Sequence, residues 1–68
     1  MQLLDAGKAV RAAQHNAGIS NAELSRIANT SPQQVIRWRS QKNIKLHTMQ
    51  HICDALNVDI ITFFRLGS

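Results

Sequence analysis

Two helix-start signals stand close together in the middle of this chain. Ser20 precedes Asn-Ala-Glu, so its side-chain oxygen is placed to take the backbone N–H of Glu23 while Glu23 reaches back to the N–H of Ser20. Ser31 precedes Pro-Gln-Gln. Ser is a favoured N-cap, Pro suits the first helical position, and Gln34 is placed to complete a second capping box. The helix opened at Ser20 therefore has room only for about residues 21–28. It must stop near Asn29, the residue next best to Gly in a left-handed conformation. A short helix, a turn at Asn29-Thr30-Ser31 and a further helix over about 32–41 are the result. Ile19 and Leu24 flank the first start at staple positions.

The rest of the chain is also helical in its spacing. Leu3, Ala6, Val10, Ala13 and Ala17 recur at steps of three and four, which predicts a long first helix ending near Gly18. Gly7 inside it costs about 1 kcal/mol relative to Ala. Val35 and Trp38 are the inward residues of the third helix. Leu46, Met49, Ile52, Cys53 and Leu56 share one face of a fourth helix, whose start falls on either side of Leu46 because Lys45 is a poor N-cap and Thr48 a better one. Asn57 stops it, and Asp59 caps a short fifth helix, IITFFRL. No segment alternates like a strand. The expected class is all-α, with five helices in a single domain spanning 1–68.

Charge adds a second constraint. The chain has 68 residues, a formal charge of +4 and a sequence pI near 10.3. Residues 24–53 hold Arg26, Arg37, Arg39, Lys42 and Lys45 and no carboxylate, so this stretch carries +5. Lys8, Arg11 and Arg65 against Asp5, Glu23, Asp54 and Asp59 leave the remainder at −1. A local excess of this kind is the footprint of a polyanion partner, against the plainer alternative of a solvated basic face. No apolar run approaches the ~20 residues of a membrane span. The opening MQLLDAGKAV lacks the basic stretch and apolar core of a secretory signal. A lone Cys53 allows no internal disulfide and fits a reducing cytosol.

A helix, tight turn and helix at this spacing form a helix-turn-helix unit, here about 21–40. The segment ISNAELSRIANTSPQQVIRW resembles the DNA-binding helix-turn-helix of the phage Cro/repressor (XRE-type) family. QHNAGIS is similar to the family's entry into helix two, and LHTMQHICDALNVDIITFF to its fourth and fifth helices, so the resemblance runs from about Gly7 to Phe64. It implies a compact five-helix, lambda-repressor-like fold. Ser25 stands where the family prefers Ala for close helix approach, and Asn29 where it prefers Gly in the turn. Many members pair an Arg late in helix one with a Glu just after the Trp position. Here those positions are Gln14 and Arg39, so no buried charge is left alone, and Arg39 is expected to be free for a phosphate. Ile27 stands where the family is often polar, either packed inward beside the small Ala28 or exposed.

The resemblance also implies site roles. Pro32, Gln33, Gln34 and Arg37 occupy positions that face the major groove. Gln33 has the donor–acceptor pair for adenine, Arg37 the fork for guanine, and Ile36 an apolar surface for a thymine methyl. Gln34 reads bases less well if its amide closes the capping box, and Pro32 offers apolar contact only. Asn21 takes the position that usually touches a phosphate, with Ser31 another expected phosphate contact. Arg39, Lys42, Asn43 and Lys45 lie in or just past the end of the recognition helix and are placed to clamp the backbone.

Other residues have plainer readings. Trp38 is expected in the core, and Cys53 as a small buried apolar residue. His47 and His51 have metal-ligand spacing but lack an HExxH pattern, so no metal and no cofactor are expected. No carboxylate pair, Cys/His couple or phosphate loop points to an enzyme or a small-molecule substrate. The fifth helix has more apolar surface than a short helix buries alone. Phe63 and Ile60 are expected inward, and Ile61, Phe64 and Leu66 at a homodimer contact, against the alternative that all cover the core. One recognition helix reads one half-site, so a dimer suits a palindromic operator in double-stranded DNA. The expectation is a Cro-like repressor of a phage or prophage, cytoplasmic and nucleoid-associated. An antitoxin or controller of the same fold, or a protein-interaction module that has lost DNA, are the alternatives.

Overall fold

The computed structural model describes residues 4–68, which form five helices: α1 (Ala6–Ala17), α2 (Asn21–Ile27), α3 (Pro32–Ser40), α4 (Leu46–Leu56) and α5 (Ile60–Leu66). Leu3, expected at the start of the first helix, lies outside the described residues. Asp5 is the N-cap instead, its carboxylate accepting from the Lys8 N–H at 3.1 Å.

The local signals act as their chemistry dictates. Ser20 and Glu23 form a complete capping box, with Glu23 N–H to Ser20 Oγ at 3.1 Å. Gly18, Asn29 and Asn57 take the three positive φ values among the described residues, 67°, 57° and 56°, and end α1, α2 and α4. Ser31 caps α3 by accepting from the Gln34 N–H at 3.1 Å, but this second box is only half formed, because the Ser31 N–H does not donate to the Gln34 side chain. Lys45 precedes α4 without a side-chain cap. Asp59 caps α5 by accepting from Thr62 N–H at 2.7 Å, and that bond holds its carboxyl below the usual carboxylate range.

α1 is the central element, packed on α3, α4 and α5, while α2 packs on α3 and α4. Its inward residues Ala6, Ala9 and Ala13 are small, so three helices approach it closely around Val10. Leu24, Val35, Trp38, Ile52, Cys53, Leu56 and Phe63 complete the core. Three apolar expectations change. Leu46 is 56% exposed, being the first residue of α4 at the margin of its apolar stripe. Ala17, in the last turn of α1, is exposed beside a groove. Leu66 packs against the core, whereas Ile61 and Phe64 face outward. Ile27 is exposed, which settles its two readings.

Gly7 marks the tightest approach. A Cβ there would meet Arg39 O at 2.6 Å and Gln41 O at 2.8 Å, both backbone atoms. Its N–H donates to Gln41 O at 2.7 Å, and Ala6 N–H donates to Lys42 O at 3.0 Å. The residue that looked like a helix defect is a contact requirement. Gly7→Ala is therefore expected to lower stability despite its better helix propensity. Overpacking costs about 1–3 kcal/mol against a gain of about 1 kcal/mol. In a domain of this size each net kcal/mol lowers Tm by about 4–8 °C, measurable by circular dichroism.

Cys53 is buried, and that burial, with Asp54 and Asp59 nearby, pushes its thiol up to about 11 from 9.0. The folded state thus keeps the proton that the unfolded chain releases first, so stability is expected to fall as pH rises from 9.0 toward about 11. Iodoacetamide at neutral pH should leave the native thiol unmodified and alkylate it once denaturant unfolds the chain. Rapid alkylation of the native protein would contradict the packing described.

Candidate nucleic-acid interface

α2, the turn after it and α3 form the helix-turn-helix. α2 stops because Ala28 ends its helical backbone and Asn29 turns left-handed, with Thr30 N–H donating to Ser25 O at 2.8 Å. Ser25, at the close approach of the two helices, is buried, and its hydroxyl donates back to Ala22 O at 2.7 Å, so no polar atom is stranded there. The unit is braced from behind by α4, where His51 Nε2 lies 2.7 Å from Ala28 O. That bond gives His51 a role in the fold in place of metal-ligand spacing with the exposed His47. Among the described residues no group of three His, Cys, Asp or Glu side chains could hold a metal ion.

α3 is anchored by Val35 and Trp38 and turns the opposite face to solvent. Pro32, Gln33, Ile36 and Arg37 are exposed on it, and Ile36 is 56% exposed, an unusual state for an isoleucine at a helix centre. Gln34 is half-buried at the margin of this face. Because the second capping box is half formed, its amide is not spent on the cap. Ser40 shares the outward face one turn beyond Ile36 and Arg37, and its hydroxyl donates to Arg37 O at 3.0 Å. Sequence reading passed over Ser40, although helical spacing from Gln33 and Ile36 was the signal for it.

The flanking polar residues divide into free and engaged groups. Lys42, Asn43 and Lys45 are exposed in the α3–α4 connection. Ser31 accepts the α3 cap bond with Oγ, which leaves its hydroxyl proton to donate outward. Arg39 is not free as expected. Its Nη1 donates to Gln14 Oε1 at 2.7 Å, and the residue is half-buried. The reason is that the Gln14 position remains a polar partner although neither side chain is acidic. Gln14 also donates from Nε2 to Asn21 Oδ1 at 3.0 Å and to Ile19 O at 3.2 Å. Asn21 therefore turns its oxygen inward and its amide hydrogens away from Gln14. Arg11, on the next turn of α1, donates from Nη1 to Arg39 O, closing the end of α3.

The helix-turn-helix thus offers one outward helix face, a cationic α3–α4 connection and polar contacts that hold the end of α3. Among the described residues no helix is long and apolar enough to cross a membrane. Comparison with protein families matches residues 11–66 to the Cro/C1-type HTH DNA-binding domain. Searches of curated proteins and of solved structures gave no significant match. The family match spans most of the chain and covers all of α2, α3, α4 and α5. The chain belongs to the Cro/C1-type HTH DNA-binding domain family.

Proposed function

We propose that this chain acts as a sequence-specific transcriptional regulator. It is a Cro-like repressor of a phage or prophage that occupies a palindromic operator as a homodimer. The observation that carries this reading is a coincidence of two features. The outward face of α3 and the connection after it fall within residues 24–53, the stretch that holds +5 and no carboxylate. Phosphate contacts supply affinity and base edges supply choice. In this assignment Gln33 and Arg37 read base edges, Ile36 meets a thymine methyl, and Pro32 and Gln34 border the groove. Asn21, Ser31, Arg39, Lys42, Asn43 and Lys45 contact the backbone.

Selection from a random duplex pool at near-physiological salt tests the reading. Enrichment of an inverted repeat supports it. A folded protein that enriches nothing overturns it and leaves a protein-interaction module as the better description. On the enriched site, Arg37→Ala should relax base preference at one position of each half-site, a loss of about 1–3 kcal/mol of discrimination. Lys42→Ala should weaken all sequences alike and make the salt slope shallower by about 1 per protomer. Competition binding with point-substituted duplexes separates the two. Uniform loss in both would show that Arg37 does not read bases.

The homodimer rests on α5. Ile61 is 63% and Phe64 41% exposed on one side of a helix whose other side is anchored by the fully buried Phe63. Leu66, partly buried against the core, borders this contact. Ile61→Lys should leave thermal unfolding nearly unchanged, as an exposed substitution does. It should abolish two-protomer binding to the inverted repeat while half-site binding persists. Analytical ultracentrifugation with and without duplex reads the difference, and a variant that still dimerises on the operator would place the contact elsewhere.

A further inference from the structure

One buried polar side chain links the elements that carry the phosphate-facing groups. Gln14 is 3% exposed on the inward side of α1. Its Oε1 accepts from Arg39 Nη1 at 2.7 Å, and its Nε2 donates to Asn21 Oδ1 at 3.0 Å and to Ile19 O at 3.2 Å. Three segments thus meet on one amide: the end of α3, the start of α2 and the turn before it. A carboxylate has no donor for the two oxygens and an ammonium has no acceptor for the guanidinium, so an amide fits the arrangement as neither does.

Two consequences follow for binding a polyanion. Asn21 has its oxygen fixed inward, which directs its Nδ2 hydrogens away from Gln14. Arg39 is held by a neutral partner, so its orientation is set while its full charge is kept. An acidic partner would orient the same guanidinium and cancel that charge. Residues 24–53, which include Arg39, hold no carboxylate of their own.

We propose that Gln14 is a positioning residue for binding the DNA backbone, setting the Asn21 amide and the Arg39 guanidinium as one phosphate-contacting pair without neutralising it. The inference rests on the DNA-binding reading above and adds to it a residue that touches no DNA.

The test compares wild type, Q14E and Q14M, each with and without N21A. Binding to the selected duplex is followed by fluorescence anisotropy across a range of salt concentrations, below the melting temperature of every variant. Q14E still accepts from Arg39 but cancels its charge, so the slope of log K against log salt should become shallower by about 0.9 per protomer. It has no donor for Asn21, whose amide turns inward to donate to it. N21A, which should cost wild type about tenfold, should therefore cost Q14E almost nothing more. Q14M releases both partners but leaves the Arg39 charge, so affinity should fall at the wild-type slope.

A purely structural Gln14 predicts something else: wild-type salt slopes in every folded variant and an N21A cost that simply adds. That result overturns the proposal. Should Q14E not fold, the N21A cost in Q14M decides, a reduced cost supporting the pairing and an undiminished one overturning it. Wild-type protein that binds no duplex at low salt would instead sink the DNA-binding reading itself, a separate outcome from any failure of Gln14.

Discussion

The orientation of the recognition helix depends on two helix ends that satisfy each other. A helix leaves its first N–H and last C=O groups without partners inside the helix, and a buried end must find them elsewhere. At the start of α1, Asp5 N–H donates to Gly67 O, Ala6 N–H to Lys42 O, Gly7 N–H to Gln41 O and Lys8 N–H to the Asp5 carboxylate. At the end of α3, Arg37 O takes the Ser40 hydroxyl and Arg39 O takes the Arg11 guanidinium. Three of these bonds run between the two elements, from Ala6 and Gly7 N–H to the carbonyls just past α3 and from Arg11 to Arg39 O, so α1 and the end of α3 are joined by directional bonds as well as by apolar contact. Gly7 makes this possible because any side chain there would enter the space of the Arg39 and Gln41 carbonyls.

This arrangement suits a chain too small for a large core. A domain of this size buries only about 60% of its unfolded surface, so packing alone leaves little margin for holding a surface helix in one attitude. Small residues on α1 bring α3, α4 and α5 close, and the large buried side chains, Phe63, Leu24, Ile52, Val10 and Val35, fill the space around it. Polar contacts then fix what hydrophobic burial does not specify. Burial is non-directional, whereas the bonds of Gln14, Arg11 and Gly7 each require one placement of α3.

The parts of this fold that were legible in the sequence are those whose chemistry is local. Ser20, Ser31, Asp59, Gly18, Asn29 and Asn57 act on groups within a few residues, and each start or stop they encode is present. The apolar faces of α3 and α4 were legible for the same reason, except at Leu46, where a residue at a helix start lies at the edge of its stripe. What the sequence did not disclose spans long separations. Gly7 reads locally as a helix weakness, because its need for space comes from residues 39–41. Arg39 reads as free, because its partner lies on α1 at Gln14. The second capping box is half formed although its spacing is correct, since Gln34 sits at the margin of the buried face, where its amide need not turn back to Ser31.

The candidate interface follows the same division. Its residue types and net charge could be read directly, because Gln33, Arg37, Lys42 and Lys45 are exposed and owe little to partners far away in sequence. Its bracing could not, because the Gln14 and Ser25 side chains that supply it are buried. Gln14 lies at helical spacing from Val10, on the stripe otherwise held by Ala6, Ala13 and Val10. A polar residue in an apolar stripe must find partners or cost the fold its desolvation energy, about 1–3 kcal/mol. That single interruption of the pattern was the available sign that α1 does more than fill the core. It reaches through to the candidate interface formed by α2 and α3, and it does so with an amide, which gives and receives hydrogen bonds without adding charge.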